Sequence, residues 1–236
     1  MAELYLRQLL VGRDVGRGDP AGTQMQNFVY LLGDREAGKC LVVDPAWDVA
    51  GITERAREDG MRITGALVTH YHPDHCGGSI FGLSIEGVAK LQDLSPCKVH
   101  VHRLEGDGVK KVTGLSDSDL AVHQPGDVVT VGDIPIQLVH TPGHTPGSQC
   151  FLIGNALVSG DTLFLDGCGR TDLPGSNPED MYDSLQRLAK LPEDVIVFPG
   201  HQYHPAPCAT LGEVCASNYV FRPKSREQWL TMFGRN

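Results

Sequence analysis

The sequence predicts an α/β protein whose functional groups gather at strand ends. Three observations carry that expectation. Apolar runs of strand length alternate with helical patterns along the chain. Four of the runs stop within a few residues of a metal-ligand side chain: ALV before His70, IQLV before the TPGH of His144, ALV before Gly160-Asp161, and VIVF before the PGH of His201. Finally, GALVTHYHPDH (65–75) crowds His70, His72, Asp74 and His75 together around Pro73. A buried polar group left unpaired costs roughly 2–7 kcal/mol, so this cluster is expensive unless it binds something.

Taken in order, residues 4–11 and 27–32 are apolar enough for strands, with a glycine-rich loop between them. Such a long loop in a compact domain is either mobile or functional. CLVV (40–43) makes a third strand after a hairpin at Gly38-Lys39. Asp48 reads as an N-cap, Val49, Ile52 and Ala56 as one helical face, and Gly60 as the stop. The 65–69 strand delivers the cluster, and Gly77-Gly78 turn the chain after it. Residues 80–94 read as a broken helix with an imperfect apolar face. KVHVHR (98–103) alternates as a strand, and the polar stretch 104–120 holds a short helix around 108–113.

Two hairpins follow, 128–131 with 134–140 about Gly132-Asp133, and 149–153 with 156–159 about Gly154-Asn155. The clearest helix is 178–190, capped by Asn177, opened by Pro178, and carrying Met181, Leu185 and Leu188 on its core face. A buried strand at 195–198 and two short helices near 209–218 and 225–233, split by Pro223, complete the pattern. No linker or low-complexity tract interrupts it, so residues 1–236 are expected to form a single domain.

Composition narrows the function. With 29 acids against 20 bases, the formal charge of −9 repels a phosphate backbone, and no nucleic-acid partner is expected. No apolar run approaches the ~20 residues that span a bilayer, and no signal peptide is visible, so neither a membrane nor export is predicted. Seven cysteines without CxxC spacing suit reduced thiols in a cytoplasmic compartment. Cys76 and Cys168 read as small buried residues rather than nucleophiles. A small-molecule substrate is expected, and a homo-oligomer is left open.

The strand-end set is His70, His72, Asp74, His75, His144, Asp161 and His201. On extended chain, positions i and i+2 point the same way, so His70 and His72 grip one ion together. His144 completes that ion, Asp74, His75 and His201 serve a second, and Asp161 bridges both through its two oxygens. Imidazole and carboxylate donors suit zinc first, with iron or manganese as alternatives, and argue against a thiolate structural site. Asp74 and Asp161 are also the candidates for holding the water nucleophile.

The HxHxDH cluster, TPGHTPGS, SGDTLF around Asp161 and the PGH at His201 resemble the metallo-β-lactamase-fold hydrolases over nearly the whole chain. That resemblance implies a four-layer αββα sandwich of two mixed sheets flanked by helices. GCGRTDLPG (167–175) is similar to the short hydroxyacylglutathione hydrolases, which are glyoxalase II-like, and to the persulfide dioxygenases of the same branch. It implies a metal-dependent hydrolase of a thioester or related acyl ester, with a thiol-conjugated or acyl small molecule as substrate. The alternative it implies is a mononuclear iron persulfide dioxygenase using His70, His144 and Asp161; lactonase or β-lactamase chemistry is a weaker one. By the same resemblance Arg170 and Tyr203 fit substrate-contacting positions. Only 35 residues follow His201, so the helical C-terminal domain of the long hydroxyacylglutathione hydrolases is expected to be absent or reduced.

Overall fold

The computed structural model of the chain describes residues 2–80 and 82–234. Its first half runs β1 (Leu4–Leu10), α1 (Pro20–Met25), β2 (Phe28–Asp34), β3 (Lys39–Val43), α2 (Val49–Glu58), β4 (Arg62–Leu67), α3 (Pro73–Cys76), β5 (Gly78–Ile80), β6 (Leu83–Ile85), α4 (Val88–Leu94), β7 (Lys98–His102), α5 (Gly106–Thr113) and β8 (Leu120–His123). The second runs β9 (Val128–Val131), β10 (Ile134–His140), β11 (Gln149–Ile153), β12 (Ala156–Gly160), α6 (Pro178–Leu188), β13 (Ile196–Pro199), β14 (Ala209–Thr210), α7 (Leu211–Ser217), a 3-10 turn at Tyr219–Phe221 and α8 (Arg226–Phe233).

Twelve of these strands form two six-stranded sheets, ordered β1-β2-β3-β4-β7-β8 and β14-β13-β12-β11-β10-β9, while β5 and β6 pair as a separate two-stranded sheet. Both six-stranded sheets are mixed: β3, β4, β7 and β8 run parallel in the first, and β12 and β13 in the second. The alternation of side chains along each strand builds the layers. In β2, Phe28, Tyr30 and Leu32 point between the sheets, where they meet Phe151, Ile153 and Val158 of β11 and β12. Val29 and Leu31 point the other way, onto Val49 and Ile52 of α2. On the far side, Cys150 and Leu157 pack under Met181, Leu185 and Trp229 of α6 and α8. Strands covered on both faces read as unbroken apolar runs, which is why CLVV and NFVYLL show no polar alternation. The result is the four-layer αββα sandwich.

The structure departs from the sequence expectation in four places. The 12–26 loop contains α1, started by Pro20 at its first turn and by Asp19, whose side chain accepts from the Ala21 and Gly22 amides. Its brevity hid it, since six residues give too little periodicity. The 80–94 stretch is a hairpin followed by a helix: Ile80 pairs with Leu83, and the helix begins only at Val88. Phe81 lies outside the described residues. β8 lies where no strand was expected; it is an edge strand with exposed Val122, so its apolar signal is one-sided. The helix expected over 178–190 ends at Leu188.

On β7, burial holds His100 and His102 down to about 4, with His123 and His140 as further causes respectively. The unfolded value is near 6.5. Their folded pKa values are depressed, so the associated stability is full above pH 6.5 and is lost as pH falls toward 4. Denaturant midpoints should fall across that window, and by less in H100Q/H102Q than in the parent chain. Identical slopes would place the acid sensitivity elsewhere.

Candidate metal centre

Four loops meet at one edge of the stacked sheets. His70 follows β4; His72, Asp74 and His75 lie on or beside the single turn of α3; His144 follows β10; Asp161 follows β12; His201 follows β13. Backbone bonds join the two sheets at this edge. The Gln149 amide donates to Thr69 O at 3.0 Å, and the Phe28 amide to Gly200 O at 2.8 Å. Gly200 has no room for a side chain, because a Cβ there would collide with Asp161 Oδ1.

The seven expected residues are brought together. His72 Nδ1 stands 3.1 Å from His70 Nε2 and 3.0 Å from His144 Nε2, and His75 Nε2 stands 3.2 Å from His201 Nε2. Asp74 Oδ2 is 3.4 Å from His75 Nε2 and 3.5 Å from His201 Nε2. Asp161 lies between the two groups, with Oδ1 3.4 Å from His75 Nε2 and Oδ2 3.4 Å and 3.7 Å from the Nε2 atoms of His201 and His144.

The opposite ring edges are tied to oxygen. Nδ1 of His201 donates to Met25 O at 2.8 Å, that of His144 to Arg170 O at 2.9 Å, and that of His75 to Asp44 Oδ2 at 2.9 Å. His70 Nδ1 meets the Thr69 hydroxyl at 3.0 Å, whose own proton goes to Asp44 Oδ2. These partners fix the tautomers and leave four Nε2 lone pairs facing inward.

Lone pairs about 3 Å apart repel unless a cation lies among them. Zn–N bonds of 2.0–2.1 Å in a tetrahedron place nitrogens about 3.3 Å apart, close to the spacings seen. Asp161 Oδ1 is buried without a hydrogen-bond donor among the described residues, a costly state for a carboxylate oxygen. Donor chemistry, spacing and the orphaned oxygen all fit divalent metal. With protein groups alone, desolvation and then the neighbouring imidazoles hold His70 well below the ordinary value, and desolvation and His144 bring His72 to about 4. Desolvation opposes charge on His75 and on Asp161 alike. It is outweighed by the carboxylates around His75, which raise its pKa, and by His201 and His75, which lower that of Asp161.

A cavity of about 330 Å³ opens over the centre, with Asp74, Asp161, Phe164, Arg170, Leu173 and Tyr203 among its walls. Arg170 is exposed and bound through two nitrogens to Asp172, each at 2.8 Å. Tyr203 stacks on His201 at 4.8 Å; burial, then Asp161 and Asp74, raise its hydroxyl to about 12, so it remains a donor at neutral pH. Burial raises Cys168 to about 12 and Cys76 well above the ordinary thiol value, so neither is a thiolate. His100, His102, His123 and His140 stack in pairs away from the centre.

Sequence reasoning missed Asp44 and Asn27. Asp44 is buried at φ 51 and accepts from the Thr69 amide and hydroxyl as well as from His75. It ends the CLVV run, so the strand-end pattern would have found it. Asn27 Nδ2 donates to Asp74 Oδ2 at 3.1 Å, while its carbonyl accepts from the Trp47 indole at 3.0 Å. No local signal marks it.

The family model of the metallo-beta-lactamase superfamily matches residues 22–201, and the chain belongs to that family of metal-dependent enzymes. It is 29% identical to a probable polyketide biosynthesis zinc-dependent hydrolase, BaeB, of Bacillus velezensis, over 89% of this chain and 88% of that one. It is 37% identical to a hydroxyacylglutathione hydrolase of Tolumonas auensis over 77% of this chain, and spans 63% of that relative's length. To the human mitochondrial persulfide dioxygenase ETHE1 it is 33% identical, over 79% of this chain and 68% of that one. No helix among the described residues is long and apolar enough to cross a membrane.

Asp44→Asn replaces an acceptor with an amide beside His75 Nδ1 and Thr69. Metal affinity should fall by about 10–100-fold, the usual effect of losing such an outer partner, with the circular dichroism spectrum unchanged. Unaltered metal retention during dialysis against chelator would remove Asp44 from the support of the site.

Proposed function

We propose that the chain is a binuclear metal-dependent hydrolase that cleaves a thioester, or a related acyl ester, of a small molecule. The observation that carries this reading is the donor set, two trios of ligand atoms with Asp161 between them at the floor of one cavity. Structural sites close on four side chains of their own, whereas each trio supplies three, the number that catalytic zinc sites combine with water or substrate, and the shared Asp161 faces the cavity. His70, His72 and His144 would hold one ion, Asp74, His75 and His201 the other, and Asp161 both. Zinc is the expected metal, with iron or manganese as alternatives.

Divalent ions held there supply Lewis acidity, lowering the pKa of water from 15.7 to about 7 and polarising a carbonyl oxygen. The chain's own groups do the rest. Asp74 and Asp161 line the cavity, where their carboxylates orient the attacking water, and Asp74, whose contacts to Asn27, His75 and His201 all use Oδ2, takes its proton on Oδ1. Asn27 keeps Asp74 in place through its 3.1 Å hydrogen bond. Arg170 exchanges the exposed Asp172, a partner of small net worth, for a substrate carboxylate. Tyr203 donates its hydroxyl to the same end of the ligand. A thiol leaving group, with a pKa near 8.5, departs as thiolate without a strong general acid.

The similarity to the human persulfide dioxygenase favours a second reading, one iron on His70, His144 and Asp161. Metal analysis beside two assays separates them. The hydrolase reading expects two ions per chain and thioester hydrolysis; a single iron with oxygen uptake on glutathione persulfide replaces it with the second. Arg170→Ala should raise KM for a carboxylate-bearing thioester by about tenfold, with kcat little changed and a neutral thioester spared. Equal losses on both substrates would take Arg170 out of recognition.

A further inference from the structure

Behind the centre, one buried carboxylate faces the ligand loops without being a ligand. Glu105 occupies the N-cap position of α5, yet its side chain caps nothing in its own helix. It is fully buried and turned toward the site edge. Its Oε2 accepts from the Tyr71 amide at 2.8 Å, and its Oε1 accepts from the Gly147 amide at 2.7 Å and the Thr145 hydroxyl at 2.8 Å. Tyr71 lies between His70 and His72, and Thr145 follows His144. One carboxylate therefore joins the two loops that carry the three imidazoles of a single trio.

Two close approaches show that the packing is built around this bond set. A Cβ at Gly147 would stand 2.7 Å from Glu105 Oε1, so only glycine lets the carboxylate reach that loop. A Cβ at Gly108, in the first turn of α5, would stand 2.6 Å from the Tyr71 ring. The start of α5 thus presses on the His70–His72 loop with its backbone and ties it to the His144 loop with its side chain. Giving up a helix cap for three bonds to ligand loops makes sense when the separation of those loops matters.

We infer that Glu105 is a positioning residue for the His70, His72 and His144 trio, setting the distance between the two loops and hence the 3.0 Å between His72 Nδ1 and His144 Nε2; this rests on the metal-centre reading above. A glutamine here has nearly the same shape, but its NH2 must face the Tyr71 amide or the Gly147 and Thr145 donors, setting donor against donor. Alanine leaves all three donors without a partner.

The test is cobalt(II) titration of the full chain after metal removal, read by visible absorption, with His72→Ala and His201→Ala marking which binding phase belongs to which trio. In Glu105→Gln, the phase that His72→Ala abolishes should weaken by about 10–100-fold, while the phase that His201→Ala abolishes stays at its parent value. Melting of the metal-free protein should be almost unchanged. Thr145→Val should weaken the same phase, and Thr145→Ser should restore it. Parent-like binding of both ions by Glu105→Gln overturns the inference, as does equal weakening of both with a lowered melting point. If Glu105→Gln does not fold, the Thr145 pair decides by the same criteria. A parent chain that binds one ion only would overturn the two-ion reading instead, and Glu105 would stand or fall on whether that ion weakens.

Discussion

Inward-facing lone pairs are the constraint on which this structure turns. Four imidazoles present Nε2, and His72 presents Nδ1, to a space shared with two carboxylates. Without a cation or added protons the nitrogens repel one another, and Asp161 Oδ1 has no hydrogen-bond donor among the described residues. The arrangement persists because four of the five rings are held from behind. Met25 O, Arg170 O, the Thr69 hydroxyl and Asp44 fix four rings by their Nδ1 atoms. Folding energy from the three apolar layers keeps those acceptors where they are.

The origin of the acceptors explains the architecture. Asp44 and Thr69 come from neighbouring strand ends of the first sheet, and Met25 is the last residue of α1. Arg170 comes from the loop after β12 in the second sheet. The centre is thus a seam between sheets, closed by the Gln149–Thr69 and Phe28–Gly200 bonds. Asp44 is pivotal, since its carboxylate serves the His70 side through Thr69 and His75 directly. A fold in which either sheet shifted by one residue would turn these side chains to the opposite face.

Membership of the metallo-beta-lactamase superfamily defines the scaffold and its metal dependence. The chemistry performed on it depends on how the two trios are used. Asp161 is central to both proposed readings, as the bridge between two ions or as the single carboxylate beside His70 and His144. The cavity above it is small and polar at its floor, with Phe164 and Leu173 on its walls and Arg170 and Tyr203 at its sides.

Much of this was legible in the chain itself. The apolar runs located most of the strands, Asp48 and Asn177 announced their helices, and the ligand types at four strand ends pointed to the set that converges. These signals are local, because strand length, capping and the reach of a loop depend on neighbours in sequence. The 78–85 hairpin and the α1 helix were not legible, since short elements have too little periodicity to separate strand from helix. Nor were Asn27 and Glu105, whose roles come from partners 47 and 42 residues away. Sequence determined which side chains could bind metal. Tertiary structure decided which ring edge each offers, because the tautomer of a histidine is set by an acceptor that only the folded chain brings within 3 Å.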